Sequence, residues 1–247
     1  MIQTQKQSKD IYRRVVSNFL SLSVLAFLVA ASAQAAIVQV PLDLGGDSSG
    51  WIAEYNDGGG LLQINVDNVL SDRVIIQKSA EFLSPPSNGV FPPAVVIFKQ
   101  VAADAVPLIV INDEILNNST GVDWGGFRMV LVDSGDAWFD VPLTDASDGG
   151  NGFSIAPFTQ SSFTPAGPNP VVFEVSNGTV PDGFTFNPGG APDGELFIRT
   201  NPHASAPFAV FALKEFPVMV PEPTTAVLVL LGLAAFGCRR RRAGLAA

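Results

Sequence analysis

From Leu62 the chain alternates: Leu62, Ile64 and Val66 are apolar, and Gln63, Asn65 and Asp67 are polar. A period of two marks a strand with one buried face. Further apolar or β-branched runs lie at 74–77, 94–98, 107–111, 127–132, 137–141, 170–175, 195–200 and 207–216. Turn formers separate them, among them Asp57-Gly58-Gly59-Gly60, Pro85-Pro86, Asp148-Gly149-Gly150-Asn151-Gly152 and Pro181-Asp182-Gly183. No stretch of this body holds a helical period over several turns, so the crossover helices of a parallel α/β fold are missing. Roughly ten short strands with Gly/Pro turns predict an all-β body, an antiparallel β-sandwich or jelly roll. The Pro- and Ser-rich stretch 157–170 reads as a long loop within one domain.

Two apolar runs near the termini break the alternation. Residues 19–31, FLSLSVLAFLVAA, follow a polar, basic segment and precede Ala33-Gln34-Ala35. That order is a secretory signal peptide, with signal peptidase cutting between Ala35 and Ala36. As a helix the run reaches about 20 Å, short of a hydrocarbon core of roughly 30 Å. The second run, 224–238, follows Pro221-Glu222-Pro223 and precedes Arg239, Arg240, Arg241 and Arg242. The prolines impose an extended segment with a carboxylate at its centre, a shape that a processing enzyme can grip. The run then predicts a single transmembrane helix whose arginines hold its far end in the cytoplasm. Three parts are expected: a signal peptide at 1–35, a β body at 36–219 and a sorting signal at 220–247.

Charge sharpens this division. Of 14 cations, four precede residue 15 and four form the arginine block. Between these blocks stand six cations and 22 carboxylates, a net of −16. Such a body has no basic surface for nucleic acid, because phosphate affinity comes from clustered Lys and Arg. At 47% hydrophobic the chain can build a core. The sole cysteine, Cys238, lies in the tail, so no disulfide can staple the body.

The tripartite tail closely resembles the PEP-CTERM sorting signal of Gram-negative bacteria. The resemblance implies recognition near Pro221, Glu222 and Pro223 by an exosortase, a membrane-embedded cysteine peptidase. It also implies an inner-membrane precursor, a destination at the cell surface, outer envelope or extracellular matrix, and an association with exopolysaccharide and biofilm. Residues 115–133, ILNNSTGVDWGGFRMVLVD, are similar to an Asn-Asn-x-Thr-Gly-x-x-Trp-x-x-Phe stretch of many small PEP-CTERM proteins. FALKEFPVMVPEP, from Phe211, is similar to their final strand. By residue chemistry, 117–121 form a turn feeding a strand that carries Trp124, Phe127, Met129 and Leu131.

Candidate chemistry is sparse. One histidine, His203, sits in a proline-flanked loop without a G-x-S-x-G elbow to serve, so a Ser-His-Asp triad is not expected. Asp133, Asp136 and Asp140, with Asp145, Asp148 and Asn151, place oxygen ligands on Gly-rich turns and are weak calcium candidates beside a role as turn formers. Trp51, Trp124 and Trp138 are candidate stacking rings if the body is a carbohydrate-binding module for exopolysaccharide. A carboxylate-dependent secreted hydrolase stays open as a third reading. The leading expectation is an exported surface or matrix protein with no enzymatic activity and no cofactor.

Overall fold

A computed structural model describes residues 36–58, 61–133, 135–189 and 194–220. The described chain is built of strands in two sheets. β1 (Ile37–Leu44) and β2 (Asp47–Asn56) form a hairpin, followed by β3 (Leu62–Val69) and β4 (Arg73–Phe82). β5 (Ala94–Gln100), β6 (Leu108–Asn118), β7 (Trp124–Val132) and β8 (Ala137–Phe139) lead to a short helix, α1 (Val141–Ala146). β9 (Gln160–Thr164), β10 (Val172–Val180), β11 (Thr185–Phe186), β12 (Leu196–Thr200) and β13 (Val210–Met219) complete the series. A seven-stranded sheet has the order β1-β2-β5-β13-β7-β10-β9. The second has the order β3-β4-β6-β12-β8, with β11 also paired to β6.

The all-antiparallel expectation needs one correction, since β4 and β6 run parallel over Arg73–Phe82. A parallel pair requires a crossover. Here the crossover is β5, a strand of the other sheet, so no helical period in the sequence marks it. Two further boundaries differ. The run 137–141 stops as a strand at Phe139, because Asp140 caps α1 by accepting a hydrogen bond from the Leu143 amide at 3.1 Å. Residues 160–164, expected as loop, form the edge strand β9; only Phe163 among them turns toward the core, so no alternation marks it.

Side chains from both sheets meet in one core. Val74, Ile76, Ala80 and Phe82 of β4 are buried at every second position, as are Phe211 and Leu213 of β13. Phe82 lies 5.4 Å from Trp124 and 5.9 Å from Phe127, edge to face, joining the second sheet to the first. Such pairs add about 0.5–1.5 kcal/mol each beyond the area they bury. On β6 a bulge at Asn112 shifts the pairing from Ile76↔Ile111 to Gln77↔Asp113. One extra residue exchanges the faces of a strand. Ile109 and Ile111 therefore point inward before the bulge, and Glu114, Leu116 and Asn118 after it.

Candidate sorting junction

β13 is the middle strand of the seven-stranded sheet and leads toward the Pro-Glu-Pro segment. Its pairing with β5 ends at Glu215↔Ala94, while its pairing with β7 continues to Met219↔Trp124. Pro217 lies in the part that only β7 flanks, where a missing N–H can face the open side of the strand. Val218 pairs with Gly126 and Met219 with Trp124, leaving Gly125 as the extra residue of a bulge. A Cβ on Gly125 would lie 2.5 Å from the Val220 Cα, so glycine is what lets the end of β13 lie against β7. Pro221 is thus one residue beyond Val220 and two beyond the last paired position.

The corner beside this end is built by residues 117–124, which carry the chain from the second sheet to the first. Asn118 is buried, and its amide donates to the carbonyls of Val122 at 2.9 Å and Val180 at 3.1 Å. Its Oδ1 accepts from the Thr120 hydroxyl at 2.7 Å and the Thr120 amide at 3.2 Å. Asp182 Oδ1 accepts from the Gly121 amide at 2.8 Å. This is the turn feeding a core strand that the residues predicted.

A second buried polar group holds β13 from below. Lys78 of β4, Glu114 of β6 and Glu215 of β13 meet between the sheets with essentially no solvent exposure. Lys78 Nζ donates a hydrogen bond to Glu215 Oε2 and forms an ion pair with Glu114 Oε1. One ammonium thus serves both glutamates, and the two carboxyl groups also meet each other through a side-chain hydrogen bond. Burial and the neighbouring Glu215 push the Glu114 carboxyl up to about 8, against the pull of Lys78. Burial lowers Lys78, but the two glutamates outweigh it and hold the ammonium above its ordinary value. As a free acid, Glu114 contributes most to stability below its ordinary value of 4.5, and that contribution is lost as pH rises toward 8. None of the three residues was a sequence candidate. Lys78 and Glu215 were detectable as charged residues at inward positions of alternating strands, whereas the bulge concealed Glu114.

The other sequence candidates are dispersed. Trp51 and Trp124 are buried, Trp51 donating to the Val106 carbonyl at 2.9 Å, so neither belongs to a surface stacking platform; Trp138 is half-buried on β8. The reason is pairing geometry: both buried rings sit at inward positions of strands that face the other sheet. Asp140 is engaged by Arg199 at 2.6 Å, Asp136 by His203 at 3.1 Å and Asp148 by Asn151 at 3.1 Å. Asp133 and Asp145 are exposed. Among the described residues no three His, Cys, Asp or Glu side chains converge as metal ligands. His203 Nδ1 donates to the Pro207 carbonyl at 2.7 Å, and this bond, with Asp136, raises its pKa. Its loop is pinned, since Gln100 accepts from the His203 amide at 2.8 Å and donates to its carbonyl at 2.6 Å. A groove of about 560 Å³ between α1 and β9, lined by Pro142, Asp145, Ser162 and Phe163, presents one carboxylate.

Ala36 is the first described residue and is exposed. Ala35, Pro221, Glu222, Pro223, Cys238 and Arg239, Arg240, Arg241 and Arg242 lie outside the described residues. Among those described, no helix is long and apolar enough to cross a membrane. The PEP-CTERM protein-sorting motif matches residues 220–242. No curated protein and no solved structure matches the chain. The sorting motif thus begins at Val220, the residue that lies against Gly125 at the end of β13.

Proposed function

We propose that this chain is an exported cell-surface or extracellular-matrix protein, associated with exopolysaccharide and biofilm and without enzymatic activity. Its body is a two-layered β-sandwich that an exosortase releases or transfers at the envelope of a Gram-negative bacterium. The observation that carries the reading is the PEP-CTERM motif at 220–242, set directly on the end of the central strand β13. The motif implies an exported, membrane-transiting chain processed by exosortase. The burial of Trp51 and Trp124 favours a scaffold over a sugar-stacking module. The buried Glu114–Glu215 pair is sealed between the sheets, where no substrate reaches it, and this favours a body without hydrolytic chemistry.

The test is processing in the native host. Glu222→Ala removes the carboxylate between the prolines, and Arg239→Ser through Arg242→Ser removes the orientation signal. Each is expected to leave precursor in the inner membrane, read by size and fractionation. Normal processing of both variants overturns the sorting reading. In a host that makes no exopolysaccharide, the processed protein is expected in the medium instead of the matrix; unchanged retention overturns the proposed association.

A further inference from the structure

The Lys78–Glu114–Glu215 group is poorly explained as a structural ion cluster. Two carboxyl groups face one ammonium between the sheets, and all three side chains are essentially out of solvent. One buried ammonium cannot offset two buried carboxylates, so one carboxyl is left in excess of the cation. The geometry instead separates the glutamates into two roles. Glu215 Oε2 accepts the hydrogen bond of the Lys78 ammonium and so lies where a base takes its proton. Glu114 Oε1 lies against the same nitrogen, which places the Glu114 carboxyl within its reach. Lys78 and Glu114 are direct partners in the parallel β4–β6 pair, so their backbones hold the reacting groups together.

We propose that Lys78 and Glu114 condense into an intramolecular amide, with Glu215 as the proton-transferring catalytic residue. Glu215 takes a proton from the Lys78 ammonium, and the freed amine attacks Cδ of the neutral Glu114 carboxyl. A C–N bond forms, a C–O bond breaks, and the Glu114 hydroxyl leaves as water with the second proton that the nitrogen gives up, passed through Glu215. The products are one amide, one water and a neutral Glu215 carboxyl; no oxidant or further reactant is needed. The raised pKa of Glu114 agrees with its reacting as the neutral acid. The product also removes the electrostatic penalty: the Lys78 cation and the Glu215 anion give way to a neutral amide and a neutral carboxyl, and the amide carbonyl can accept from that carboxyl.

Such a bond fastens β4 to β6 and closes a loop that contains β5. It gives a cross-link to a body whose sequence supplies no cysteine outside the tail. The experiment is a tryptic map of the full chain, recovered from envelope material and denatured before digestion. The expected product is residues 74–99, uncut at Lys78, joined to residues 100–128 and lighter than the two together by one water. Free peptides 74–78 and 100–128 in place of that product overturn the proposal. A bond from Lys78 to Glu215 overturns the assignment of roles. The wild-type map decides the matter without any variant. Glu215→Gln, checked for an unchanged β-type circular dichroism spectrum, is expected to yield only the linear peptides, and a retained cross-link in that folded variant overturns the role of Glu215.

Discussion

Two polar clusters lie buried between the sheets, and they solve the same problem in opposite ways. The Asn118 side chain has only neutral partners, and each of its polar atoms meets a backbone or hydroxyl group. Around Lys78 the groups are ionisable, and one ammonium serves two carboxyl groups. The first arrangement fixes the path of a turn at little electrostatic cost, since satisfied buried hydrogen bonds are net stabilising. The second costs free energy as long as its groups remain ionised. A buried polar group that is neutral and fully partnered reads as architecture, and one that carries a carboxyl in excess of its cation reads as chemistry.

The contrast can be broken most directly at Lys78. Lys78→Met leaves two buried carboxyl groups without a cation, and the expected loss is about 3–5 kcal/mol in urea unfolding. Asn118→Ala should cost less, about 2–3 kcal/mol, by stranding the Val122 and Val180 carbonyls and the Thr120 donors. A larger loss at Asn118 than at Lys78 would reverse the ranking of the two clusters. Gly125→Val, pressed against Val220, is expected to cost about 1–3 kcal/mol and to speed amide exchange at Met219. Unchanged exchange there would show that the corner does not hold the end of β13. The smallest effect belongs to His203. Its raised pKa contributes stability that is full below 6.5 and lost as pH rises through the folded value. The His203→Gln variant should therefore show a flatter Tm profile across neutral pH; an unchanged slope would assign that slope elsewhere.

The Asn118 cluster was legible because its cues are local. Asparagine, threonine and glycine at 117–121 are turn chemistry, and the apolar positions after them name the strand. The Lys78 cluster joins residues from β4, β6 and β13, and its assembly depends on a parallel pair and a bulge that no local period reveals. Without the bulge at Asn112, Asp113 would face inward and Glu114 outward. The hairpin β1–β2 carries no such local cue, because β1 is largely exposed and Gly50 interrupts β2 ahead of Trp51. The two address segments were read from composition and order alone, and of these the sorting motif has an independent match.

The short passage from β13 to the motif has a mechanical side. A group fastened near Pro221 pulls on β13 along its own axis. The strand is flanked by β5 on one side and β7 on the other, both antiparallel, with hydrogen bonds crossing the line of force at right angles. Tension there loads both ladders in shear, many bonds sharing it at once, whereas the same pull on an edge strand such as β9 would meet a single ladder. A tether at this end would therefore load a strand braced by a ladder on each side, which no edge strand of the sheet offers.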